Sequence, residues 1–495
     1  MLTPREYYRN QGVLEKMLQY CGGSNDFHLD RSLQNLSEIP SLKNAAATMT
    51  CEYLVGWGKR NWEEHGREYE AVRNTSLGWL LDNGFDVFRS VWDKKSMLFV
   101  IDIEYYSRKY PQLPYIDQEY TFNHLEFYYH LIKETLQEFG INPFILTTGQ
   151  GYHYVFRIES GSLAFQELMK IGHLEDTLAG KYRYLGSDTK RERIVSDEEG
   201  RAYDGVGKLL EFLYHHLIRE MKKSKPALPL MVGDIAVGNP NLEAVSFDLS
   251  GYANPIFMRD IRLAFSTHQK HKLQSHKLGE EVSRTVPVQI SIPRHIPGQR
   301  ELELEELFRC RRHYENAALL ASSLSCVIPE AGFGVQNLLK AYHRSELYHF
   351  HQDFDRTAQD PPNRWFETYD RFELTSLPPC VAHALAHPNP LLLQPTQLQT
   401  LVRTMCGKKW WHPKHVAGLI RSKYERNYGW EVDFHKYDAN AWSLVWTRIY
   451  AGLLADGTDE LVDFNCISHQ EKGISWGNLN FCVQHCCGNS LQNYR

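Results

Sequence analysis

Three stretches of the chain hold residue types at spacings that could do chemistry. The first is "LFVIDIEYYS", Leu98 to Ser107, an apolar run that places two carboxylates, Asp102 and Glu104, one residue apart. Successive side chains of a strand alternate faces, so these two acids project together, with Val100 and Ile103 expected to pack elsewhere. Neighbouring carboxylates repel and raise one another's pKa unless a cation sits between them. The economical partner is Mg²⁺ or Mn²⁺, which prefers hard oxygen ligands and usually takes phosphate oxygens as well. The plain alternative is a strand end with both acids in solvent.

The second stretch, "TTGQGYHYVF" (Thr147 to Phe156), sets a Gly-x-Gly turn before an aromatic strand bearing His153, with Thr148 ending the preceding strand. Backbone N–H groups exposed at a glycine turn, a hydroxyl and an imidazole together suit phosphate oxygens. A simple hairpin with a satisfied histidine is the alternative. The third, "FDLSGYANPIFMRDIRLAFSTHQKHK" (Phe247 to Lys272), offers Asp248 on an apolar strand, then Arg259, Arg262, Ser266, His268 and Lys270. Cations following an acid-bearing strand could neutralise a triphosphate or a template. Otherwise they form a solvated basic loop.

The elements that must position these groups are legible from the hydrophobic period. Residues 1 to about 90 read as helical, and SMLFVIDIEY as a strand. Thr121 to Phe139 reads as an amphipathic helix stopped at Gly140, and NPFILTTGQGYHYVFRI as strand, glycine turn, strand. This order predicts a mixed sheet with a helix on one face. A charged loop and a strong helix from about Gly205 follow, then strand-like AVSFDL and VPVQISI, and PRHIPGQ (Pro293 to Gln299) reads as a domain exit. Helices return from 301 to 350, Pro361-Pro362 marks a boundary, and the last segment holds two helices, LQTLVRTMC and HPKHVAGLIRSKYERN, with a cysteine-rich tail.

With 42% hydrophobic and 23% charged residues over 495 positions, the composition is that of an ordinary globular protein with room for two or three domains. No run of about 18 apolar residues predicts a membrane span, and MLTPREYYRN lacks the apolar core of a signal peptide. The expectation is a cytoplasmic protein, or a nucleoplasmic one in a eukaryote, with no membrane partner. The net charge of −5 supplies no bulk attraction to nucleic acid, so a polyanion would need a local groove. Ten cysteines in an intracellular chain argue against a disulfide scaffold.

In this order the motifs resemble the catalytic core of the archaeo-eukaryotic primase superfamily, the primase-polymerases: D-x-E on a strand, a Gly-rich turn leading to His, then Asp followed by R-x-x-R-L-A-F-S-T-H-Q-K. The motifs span about 98 to 272. The resemblance implies Asp102, Glu104 and Asp248 as acids binding Mg²⁺ or Mn²⁺. It implies Thr148, where many relatives have serine, His153, Arg262 and His268 as nucleotide contacts, with Arg259, Ser266 and Lys270 beside them. Gln150 stands where some relatives carry a basic residue. The tail, from LPPC at Cys380 to FNCISHQEKGISWGNLNFCVQHCC, is similar to the iron–sulfur domain of the primase large subunit. That similarity implies Cys380, Cys466, Cys482 and Cys486 as ligands of a 4Fe–4S cluster or Zn²⁺.

The implied fold is α+β: a helical region at 1–77, a primase-polymerase core at 78–298 with a mixed sheet flanked by helices, a helical linker at 299–373, and a mostly helical cysteine-ligated domain at 374–495. The implied activity is a template-dependent nucleotidyltransferase, a DNA primase or polymerase acting on single-stranded DNA with nucleoside triphosphates. Its partners would be a helicase or other replication or mobile-element proteins. Two rivals remain, a metal-dependent nuclease and a non-catalytic nucleic-acid-binding subunit.

Overall fold

A computed structural model describes residues 2–30, 32–58, 68–184, 193–232, 243–253, 260–386, 395–408, 411–426 and 439–459. The architecture is mixed α and β, and among the described residues no helix is long and apolar enough to cross a membrane. Two compact units divide the chain, both discontinuous in sequence. The first comprises Met1–Lys170, Tyr182–Tyr203 and Met258–Leu338; the second comprises Ile171–Lys181, Asp204–Phe257 and Leu339–Arg495.

The strands in chain order are β1 (Leu54–Gly58), β2 (Glu68–Val72), β3 (Asp86–Ser90), β4 (Ser96–Ser107), β5 (Phe144–Thr147) and β6 (Gly151–Glu159). They continue with β7 (Leu230–Met231), β8 (Glu243–Phe247), β9 (Asp260–Arg262), β10 (Thr267–His268), β11 (Gln289–Ile290) and β12 (Pro293–His295). In the first unit β12, β5, β6 and β4 lie side by side in that order, all antiparallel. A second sheet runs β2-β1-β3-β9, and β10 pairs with β11.

The strand, helix, hairpin order expected around the paired acids is present. The helix Gln118–Glu138 ends as its sequence predicts: Gly140 adopts a φ of +81°, its N–H donates to Gln137, and the N–H of Ile141 donates to Leu136. This Schellman closure needs the left-handed conformation that glycine adopts without penalty. The helix packs Phe122 and Tyr129 onto Tyr152, 5.3 and 4.9 Å between ring centroids. Tyr152 points away from the face that carries His153 and Asp102, so the helix covers one side of the sheet and leaves the acids on the other.

Several expectations need correction. The segment read as helical to residue 90 contains Pro4–Tyr8, Gln11–Tyr20, Pro40–Ala47 and Leu77–Asp82 as helices, but also β1 to β3. Gly56 and Gly58 of β1 are strand positions stripped of side chains to admit Phe85: a Cβ at either would lie 2.6 or 2.5 Å from its ring. Val100 shares the less buried face of β4 with Asp102 and Glu104, since even-numbered positions alternate together. PRHIPGQ opens as β12, where an edge position tolerates Pro293. The helix expected from Gly205 begins at Asp197. Ser196 Oγ accepts from the Glu199 N–H while the Glu199 carboxylate accepts from the Ser196 N–H, a capping box in the charged SDEE segment.

In the second unit β7 and β8 pair in parallel. The helix Asp197–Ser224 supplies this unit with a buried polar spine: Lys208 contacts Asp204 at 3.2 Å and Asp355 at 2.5 Å, and Glu211 accepts from Arg448 at 2.6 Å and from His351 at 2.9 Å. The two expected C-terminal helices are found at Pro395–Val402, continued by a π turn, and Pro413–Tyr424. The helix Ala439–Ala455 was not anticipated. Cys380 falls within the helix Pro379–Ala386. Cys466, Cys482 and Cys486 lie outside the described residues.

Candidate functional site

β4 presents Asp102 and Glu104 half-buried on one face, because its alternate residues Ile101, Ile103 and Tyr105 anchor the other face in the core. The β4–β6 register sets Asp102 opposite His153 and Glu104 opposite Gly151. His153 Nε2 lies 3.4 Å from Asp102 Oδ2, while Asp102 Oδ1 is shielded and has no hydrogen-bond partner. Burial draws the His153 pKa down, but the Asp102 carboxylate, with Glu104 beyond it, carries it above the ordinary imidazole value. One oxygen turned to an imidazole and one left open is the orientation of a carboxylate held for a cation. The pair therefore fits a hard divalent ion, although among the described residues no three His, Cys, Asp or Glu side chains gather closely enough to hold one.

The third acid is placed differently from the first two. Asp248 lies in the second unit, one residue past β8, and its Oδ1 accepts from the Ser250 N–H at 2.7 Å at the start of a short helix.

The two glycines of the turn are there for space. A Cβ on Gly151 would lie 1.8 Å from the Ile103 carbonyl oxygen, so that glycine lets β6 close on β4 beside Glu104. Neither Gly149 nor Gly151 has a positive φ, so the turn does not form the left-handed N–H cradle expected for phosphate. Thr148 follows β5, its N–H donating to Gly151 O at 2.8 Å, and its buried hydroxyl has no partner. Lys270 Nζ donates to Gln150 Oε1 at 2.5 Å, which sets a cation beside the turn.

The cations of the third stretch separate on inspection. Arg262 is buried and paired at 2.9 Å with Asp86, which has no solvent exposure and also accepts from Thr267 Oγ1 and the Gln269 N–H at 2.8 and 2.9 Å. It also donates to the Thr267 carbonyl and stacks over Phe88. Ser266 accepts from the Val87 N–H at 2.7 Å and donates to Thr267 O at 3.2 Å. Both side chains are engaged in fastening the β10 loop to β3. His268 is buried, with its ring 5.9 Å from Tyr115 and its Nδ1 without a partner. Burial holds its pKa well below the ordinary value, and Arg262, Lys270, His271 and Arg311 reinforce the shift, so it is a neutral imidazole rather than a cation. Arg259 lies outside the described residues.

Sequence reasoning missed Asp86 and Arg311. Asp86 carries the same signal as Asp102, an acid inside the apolar run GFDVFRSVW. Arg311 sits in the helix Leu304–Arg312, fully buried over the Phe122 ring, and nothing in its spacing separates it from Arg309 and Arg312. No family model, curated protein or solved structure matches the chain.

Proposed function

We propose that this protein is a template-dependent nucleotidyltransferase that makes or extends primers on single-stranded DNA from nucleoside triphosphates. The observation that carries the reading is the Asp102–Glu104 pair on one face of β4, with Asp102 Oδ1 shielded and unpartnered and Oδ2 turned to His153. Asp102 and Glu104 would hold Mg²⁺ or Mn²⁺, which when bound supplies charge neutralisation at the leaving pyrophosphate and a lowered pKa at the attacking hydroxyl. Asp248, the third acid that the resemblance implies, belongs to the second unit and is not part of the site proposed here. His153 fixes the rotamer of Asp102. Thr148, His268 and Lys270 line the glycine turn, where a triphosphate would be held in line with the attacking 3′-hydroxyl.

One observation favours a second reading, a metal-dependent nuclease. Arg262, the cation that spoke for a triphosphate rather than a water, is neutralised by Asp86. One incubation separates the two: protein, Mg²⁺ or Mn²⁺, unprimed single-stranded DNA labelled at its end, and labelled nucleoside triphosphates. Products longer than two nucleotides support the polymerase. Shortened template with no product supports the nuclease, and neither outcome leaves the carboxylate pair without a catalytic role.

A further inference from the structure

The β10–β11 ladder sets Gln289 directly opposite His268. Arg311 Nη2 donates to Gln289 Oε1 at 2.9 Å and reaches to 3.5 Å from the Gly149 carbonyl, so one guanidinium ties the glycine turn to the strand pair that carries His268. Its Nε and Nη1 have no partner although the side chain is fully buried, and no described carboxylate pairs with it. A charged group held out of water with open donors is costly unless an acceptor meets it. Two more buried groups in the segments it joins are likewise unpartnered, Thr148 Oγ1 and His268 Nδ1. The three come from a turn, a strand and a helix far apart in sequence, and their common need is a ligand rich in oxygens.

Resting on the polymerase reading, we propose that Arg311 is the cation that receives a phosphate oxygen of the incoming nucleotide, through its open Nε and Nη1. It takes the part that the sequence assigned to Arg262. Charge-assisted hydrogen bonds of this kind are the strong ones, and the planar guanidinium suits phosphate better than an ammonium does.

The test uses the full chain and inorganic tripolyphosphate, with binding followed by calorimetry and folding by thermal melts. The parent should bind saturably, and Arg311→Gln should weaken binding about 10- to 100-fold. Exposed Arg312→Gln should match the parent. A folded Arg311→Gln variant with parental affinity overturns the proposal. Should that variant fail to fold, Arg311→Lys keeps the charge but loses the fork, and parental affinity there overturns it equally. A parent that binds tripolyphosphate through Arg311 yet makes no primer keeps the phosphate site and removes the polymerase reading. A parent that makes primers, with Arg311→Gln unchanged in both tripolyphosphate affinity and nucleotide KM, removes the phosphate site alone.

Discussion

Gly149 and His268 compete for one volume: a Cβ on Gly149 would lie 2.1 Å from His268 Nε2. The glycine turn and the imidazole therefore fix each other's position, and the ring cannot stay where it is beside any larger residue. Gly149→Ala should cost about 1–3 kcal/mol through overpacking and lower nucleotide addition by displacing the ring. Gly151→Ala meets backbone at 1.8 Å rather than a side-chain ring and should cost more. Denaturant melts of the two variants check the order, and a Gly149→Ala protein with parental stability and rate would show that the ring yields freely.

Replacing Asp102 and Glu104 together by alanine should abolish nucleotide addition and leave the fold intact. Their side chains sit on the less buried face of β4 and contribute little packing. Primer extension beside a thermal melt decides it; a folded double variant working at near the parental rate removes both acids from the site.

Arg262→Gln should act on stability before it acts on nucleotide affinity. It leaves the Asp86 carboxylate buried without its cation, a loss of about 3 kcal/mol. An unchanged melting temperature with a raised nucleotide KM would restore Arg262 to the binding site.

Stability should also fall on mild acidification. His271 is held down to about 4 by burial, even though its Nε2 donates to Val286 O at 3.1 Å. The unfolded chain takes up a proton near pH 6.5 that the folded one refuses, so the stabilisation is complete above 6.5 and drains away as pH falls toward 4. The loss is on the order of 3 kcal/mol. His268 adds in the same direction. His153, shifted upward, opposes them, its contribution being lost as pH rises through its folded value. His271→Gln should flatten the acid limb of a stability–pH curve, and an equally steep limb in that variant would assign the dependence elsewhere.

The motif-bearing strands were legible because β4 carries an apolar run too long to misread and β5 and β6 flank a glycine turn. The acids of β4 followed from parity alone. What the sequence could not separate was a cation's partner. Arg262 and Arg311 are each one arginine in a mixed segment, and only the fold reveals that Asp86 neutralises the first while the second keeps two open donors. The glycines misled for a related reason. A Gly-x-Gly turn looks the same whether it gives a positive φ or simply room, and here it gives room.

The spine of the second unit has a consequence for how the protein is made. Glu211 finds Arg448 across 237 positions of chain, and His215 finds Asp456 across 241. A ribosome therefore releases the helix Asp197–Ser224, with Glu211 inside it, long before Arg448 exists. That unit cannot reach its final structure until synthesis is nearly over. A polypeptide ended near residue 373 would lack Arg448 and Asp456, and so leave Glu211 and His215 without these two partners.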